Sequence, residues 1–170
     1  CWGDNSKNQV GGESLVVTAP YSVNSLNQGE DAEYDIKQVA AGDFHTCALL
    51  SKTEEYVMYS KVKCWGDNTY GQAAGFKINT EGANTNIELS GGTVKVPTEV
   101  DVYDGNVPST QRKLLSGIIA ISAGKTHTCA LNTYGKVFCW GANHKGQLGY
   151  TPPQRNKNFQ CPFMQSRSTC

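Results

Sequence analysis

Three observations predict an all-β fold. A strand-turn-strand pattern occurs twice, the HTCAL strands alternate with a period of two, and no segment shows a convincing helical period. The clearer copy runs from Ile118 to Tyr150 as IIAISAGKTHTCALNTYGKVFCWGANHKGQLGY. The earlier copy runs from Ile36 to Gly75 as IKQVAAGDFHTCALLSKTEEYVMYSKVKCWGDNTYGQAAG. Three blocks align: AG-x-x-HTCAL, V-x-CWG-x-N and GQ-x-x-G. A third, partial copy opens the chain at Cys1 as CWGDN.

In chain order, residues 1–12 read as the tail of one repeat, with a turn over Gly3 to Asn5. Leu15-Val16-Val17 suits a short strand that Ala19-Pro20 ends. Ser22 to Glu30 is polar and turn-rich, so a loop is expected there. Ile36 to Ala41 reads as a buried strand, and Gly42-Asp43 turns the chain. His45 to Leu50 follows as a strand with His45, Cys47 and Leu49 on one face. Ser51 to Glu55 reads as a hairpin tip, Tyr56 to Trp65 returns, and Tyr70 to Gly75 closes the unit. Lys77 to Gly92 is rich in Gly, Asn and Thr and reads as a long exposed loop. Pro97 restricts Val94 to Val102 to a sheet edge or a strand start. The second full copy repeats the pattern, with a tight hairpin over Asn132-Thr133-Tyr134-Gly135. The stretch 151–170 has no regular period.

The repeat is longer than usual. Trp2 and Trp65 are 63 positions apart and Trp65 and Trp140 are 75 apart, against about 40–50 residues for one four-stranded propeller blade. Insertions account for the surplus. Sixteen residues separate Cys47 from Cys64, against nine between Cys129 and Cys139. Further insertions fill Lys77 to Lys95 and Asp104 to Lys113.

The chain of 170 residues is long enough to bury a core. Its 15 basic and 15 acidic residues cancel, which argues against nucleic acid, whose binders carry a basic excess or stripe. No run approaches the roughly 18 apolar residues of a membrane span. The chain lacks an initiator Met and begins inside a repeat, so it reads as a fragment or a processed product. Seven cysteines are present, four at repeat-equivalent positions. Cysteines placed by a repeat suggest disulfides and an oxidising compartment, extracellular or secreted.

The AG-x-x-HTCAL, V-x-CWG-x-N and GQLG blocks resemble the regulator of chromosome condensation repeat, the unit of a seven-bladed β-propeller. The matching stretches are Val39–Gly75, Ile121–Gly149 and, in part, Cys1–Asn5. The paired cysteines resemble those of secreted members. The resemblance implies a partial β-propeller of antiparallel four-stranded blades, two to three of them, over residues 1–150. The full repeats are 36–75 and 118–150, the partial one is 1–12, and 151–170 is an irregular, disulfide-linked tail. Gly42 and Gly124 fit tight turns, and Trp2, Trp65 and Trp140 suit the space between blades.

His45, Cys47 and Cys64, like His127, Cys129 and Cys139, admit two readings. One is a cross-strand disulfide; the other is zinc, which needs a fourth ligand that only His144, in the second copy, offers. The disulfides Cys47–Cys64 and Cys129–Cys139 are expected, and no metal or other cofactor is. Among the other three cysteines, Cys161 with Cys170 is the expected pair. Cys1 then belongs to a blade begun elsewhere, in a missing N-terminal part or a neighbouring molecule, unless it pairs with Cys161 or Cys170.

No G-x-S-x-G, phosphate loop or H-E-x-x-H motif appears. Cys47 and Cys129 beside His45 and His127 do not point to an enzyme, since catalytic groups seldom recur in every structural unit. The expected function is therefore a non-enzymatic extracellular module, structural or protein-binding, as in a matrix, coat or filament. The alternative is a regulatory propeller acting on a protein partner, by nucleotide exchange or enzyme inhibition. In either case the expected contact surface is the insertions, with Lys52, Glu54, Tyr56, Lys77, Glu81 and Asn84.

Overall fold

A computed structural model describes residues 1–73, 77–81, 84–88, 92–102, 113–115 and 117–149. Among these there is no α-helix. The strands are β1 (Gly3–Asp4), β2 (Val16–Val17), β3 (Asp35–Ala41), β4 (His45–Glu54), β5 (Val57–Asp67), β6 (Lys77–Glu81), β7 (Asn84–Glu88), β8 (Thr93–Glu99), β9 (Asp101–Val102), β10 (Lys113–Leu114), β11 (Ile118–Ala123), β12 (His127–Asn132) and β13 (Val137–Gly141). The first blade is the antiparallel sheet β3-β4-β5-β8, and the second is β11-β12-β13. The pair β1-β2 repeats the outer edge of a blade: Gly3 faces Val17 as Gly66 faces Val94.

Alternation sorts the side chains of β4 and β5 onto two apolar faces. Cys47, Leu49, Val62 and Cys64 meet Ile118, Ile121, Ala130 and Trp140 of the second blade in one core. Ala48, Leu50 and Trp65 pack on the opposite side against Leu26 and Tyr34. Because β4 is covered on both faces, it is buried without a break from His45 to Ser51, its polar His45, Thr46 and Ser51 included. Both blades carry the same irregularity in register, between Ile36 and Gln38 and between Ile118 and Ala120.

Several local expectations are corrected. Ser22 to Glu30 is not plain loop: it holds two short 3-10 turns, Asn24–Leu26 and Gly29–Asp31, and Leu26 among its polar neighbours is an anchor at 5% exposure. Ile36 and Val39 do lie on a strand, but both are exposed, because β3 is a sheet edge with β4 on one side only. Ser51 to Glu55 is not the hairpin tip: β4 continues to Glu54, and the turn is Glu55-Tyr56 alone. The extra residues between Cys47 and Cys64 lengthen both arms, since the Ser51–Ser60, Lys52–Tyr59 and Thr53–Met58 pairs extend the ladder. Lys77 to Gly92 is likewise not a plain loop. It contains the β6-β7 hairpin, pairing Ile78 with Ile87 and Thr80 with Thr85, residues suited to a pleated surface. Cys161, Cys170 and the expected tail 151–170 lie outside the described residues.

Candidate functional site

The repeat blocks converge where the blades meet. The AG-x-x-H block works because its glycine has no Cβ. A Cβ on Gly42 would lie 2.5 Å from the Gly124 carbonyl oxygen and within the His45 ring; one on Gly124 would strike His127. The backbone closes each turn, with Gly42 N–H donating to His45 O and Gly124 N–H to His127 O, both at 2.8 Å.

The third block builds the same turn three times. Asn5, Asn68 and Asn143 accept through Oδ1 from the backbone N–H of Val10, Ala73 and Leu148 at 2.9, 2.9 and 3.0 Å. Gln9, Gln72 and Gln147 accept through Oε1 from Lys7, Tyr70 and Lys145, each at 2.8 Å. The turn needs a left-handed residue, supplied by Asn8 (φ 59), Gly71 (φ 78) and Gly146 (φ 74). The opening copy thus extends beyond CWGDN to Asn8-Gln9-Val10. Asn stands for Gly there, because its short polar side chain tolerates that conformation, and reading only for GQ misses it.

These turns dock onto the following blade through the backbone carbonyl of the glutamine. Thr46 Oγ1 donates to Gln9 O at 2.7 Å, and Thr128 Oγ1 donates to Gln72 O at 3.1 Å. Trp140 Nε1 donates to the same Gln72 oxygen at 3.0 Å, whereas Trp65 Nε1 is buried without an acceptor among the described residues. Gln38 adds a clamp between blades, pairing with both Ile121 N–H (2.9 Å) and Ile121 O (2.7 Å). Ser60 Oγ accepts from Ile118 N–H at 2.6 Å, and Lys125 pairs with Asp43 at 3.0 Å.

His45 lies in this joint, 1% exposed, with Nε2 2.8 Å from Thr128 Oγ1. A carbonyl only accepts, so the Thr128 hydroxyl hydrogen goes to Gln72, and His45 donates through Nε2–H. Its Nδ1 has no partner among the described residues. Burial, outweighing Asp67 and Asp43 nearby, holds the imidazole pKa down to about 4. The unfolded chain, with an ordinary value near 6.5, takes up this proton first. Stability is therefore full above about pH 6.5, falls as the pH drops towards 4, and is constant below. The expected loss across this window is about 3 kcal/mol. Urea unfolding from about pH 4 to 7 checks it, and a His45→Gln variant with the same slope would reject it. Asp31 titrates in a separate, lower window. Burial raises its pKa, but Lys61 and Lys63 outweigh that and hold it below the usual 3.8.

Cys47 and Cys64 are directly opposed on β4 and β5 and disulfide-bonded, as are Cys129 and Cys139 on β12 and β13. Cys1 is exposed and has no disulfide partner among the described residues.

The expected contact residues lie on two hairpins, β4-β5 and β6-β7. Lys52 is tied down: its ammonium pairs with Glu33 (3.0 Å) and Glu54 (2.6 Å) and lies 5.1 Å from the Tyr34 ring centroid. Tyr56 is fully exposed at the hairpin apex. Lys77, Glu81 and Asn84 lie on the separate β6-β7 hairpin.

Antiparallel blades joined through repeated turns define a β-propeller segment. The regulator of chromosome condensation (RCC1) repeat profile matches residues 36–72 and 118–147, and a second profile of the same description matches 1–49 and 134–166. The chain belongs to the RCC1 repeat family. It is 32% identical over 94% of its length to the probable E3 ubiquitin-protein ligase HERC6 of Homo sapiens, of which it spans 13%. It is 33% identical over 74% of its length to Protein RCC1 of Candida albicans, spanning 22% of it. Yeast RCC1 (Prp20), solved bound to Kap60, superposes on 99% of the chain with a TM-score of 0.59 at 19% identity, and the chain covers 32% of that structure.

Proposed function

We propose that this chain is a non-enzymatic, protein-binding propeller segment that works in an oxidising, extracellular compartment as part of a structural assembly. The observation that carries the reading is the pair of disulfides at equivalent positions of successive blades. Such bonds persist outside the reducing cytosol. Each closes a short loop and contributes on the order of 3 kcal/mol in the chain-entropy account. The lengthened end of the β4-β5 hairpin, with Lys52, Glu54 and Tyr56, and the β6-β7 hairpin, with Lys77, Glu81 and Asn84, are its contact surfaces, since both are additions to the repeat length.

The likeness to HERC6 and RCC1 favours a second reading, a regulatory propeller acting on a protein partner. It rests on family likeness, and function belongs to sites rather than folds. Thiol alkylation of protein purified from its source separates the two. Cys47, Cys64, Cys129 and Cys139 should resist labelling until reductant is added. Cys47 and Cys64 are fully buried, while Cys129 and Cys139 are partly exposed. Mild reduction of the folded protein should therefore open Cys129–Cys139 first. Four free thiols at these positions in the untreated protein would exclude the extracellular reading.

A further inference from the structure

The apex of the β4-β5 hairpin has an unusual turn. Glu54 pairs with Val57, leaving Glu55 and Tyr56 as a two-residue loop. Both have positive φ, 47° and 68°, the pattern of a type I′ turn that normally calls for Asn-Gly. A bulky residue in this conformation is an outlier, and such strain points to a function. The matching hairpin of the second blade closes without it, using Gly135 at φ 74.

The strained apex presents one group. The Tyr56 side chain is wholly exposed, and Glu54 and Glu55, both exposed, precede it directly. We propose that Tyr56 is a sulfuryl acceptor, modified on its phenol oxygen by a sulfotransferase that recognises the adjoining carboxylates through a basic cleft. The inference rests on the extracellular reading, because it requires passage through a secretory compartment. In the reaction the phenol oxygen attacks the sulfur of a phosphoadenylyl sulfate donor. An O–S bond forms, the S–O bond to the nucleotide phosphate breaks, and the phenolic proton passes to the transferase base. No oxidation state changes. The product adds a permanent anion beside the Glu55 carboxylate and the Lys52-paired Glu54, giving an acidic tip suited to a Lys- or Arg-lined partner.

Tyr134 is the internal control. It sits at the tip of the second blade's hairpin and is 84% exposed, but its neighbours are Thr133 and Gly135. Exposure alone would label both tyrosines; acid-directed recognition labels Tyr56. The folded chain is incubated with purified tyrosylprotein sulfotransferase and radiolabelled phosphoadenylyl sulfate, then mapped by peptide mass. Label on Tyr56 and not on Tyr134 is expected, with complete loss in Tyr56→Phe and a several-fold slower rate in Glu55→Gln. Protein purified from its source should carry the mass of one SO3 group at Tyr56, resistant to phosphatase. Unlabelled Tyr56, equal labelling of Tyr134, or a phosphatase-sensitive group at Tyr56 overturns the inference. Paired cysteines with an unlabelled Tyr56 overturn it alone; free cysteines in the source protein overturn the compartment reading and the inference with it.

Discussion

Trp140→Ala is expected to cost about 3–5 kcal/mol, as for a large aromatic removed from a packed core. Its indole is fully buried between the blades among Val62, Cys64 and Ile121, and its N–H occupies the Gln72 carbonyl. At this chain length the loss lowers the melting temperature by roughly 10 °C. Trp140→Phe retains most of the packing and gives up the hydrogen bond, for about 1–2 kcal/mol. Denaturant unfolding of the two variants separates the contributions. A cost below about 1 kcal/mol for Trp140→Ala would mean that the blades are not joined through this side chain.

Gly66→Ala should be comparably damaging for a different reason. The residue is at φ +104, and its new Cβ would strike the Phe44 carbonyl and lie 2.8 Å from the His45 Cα. Those are backbone atoms, fixed by the Asp67 N–H bond to Phe44 O at 2.7 Å, so no side chain can swing aside. A cost of about 4 kcal/mol or more is expected. Gly135→Ala isolates the conformational part. Its φ of +74 is also unfavourable, but a Cβ there meets nothing within 4 Å, so about 1–2 kcal/mol is expected. Equal losses by chemical denaturation would refute the steric account.

The fold was legible because its causes are local. Gly42 and Gly124 are required by a histidine three residues on, and Cys47 and Cys129 recur with their partners at matching registers. Such constraints leave fixed spacings in the chain. Burial was less legible. Ile36 and Val39 are apolar yet exposed, because exposure depends on which strand forms the sheet edge. Lys63, by contrast, is charged yet buried, because Asp31 from a distant turn pairs with it. The surface residues Lys52 and Tyr56 are four positions apart in the sequence. One is held by Glu33, Glu54 and Tyr34, and the other stands wholly in solvent.

By itself the sequence determined the all-β class, the repeat and its phase, and the cysteine positions. Each depends on residues close along the chain or related by the period. Only the tertiary structure decided how the repeats join. The Gln72 carbonyl shared by Thr128 and Trp140, the His45 contact to Thr128 and the Gln38 clamp on Ile121 link residues 56 to 83 positions apart. Two of these acceptors are backbone carbonyls, which every residue carries, so no residue type marks them. The strained Glu55-Tyr56 turn has the same origin. The ladder from Cys47–Cys64 out to Glu54–Val57 fixes the register, and the register leaves two residues to close the loop whatever their own preference.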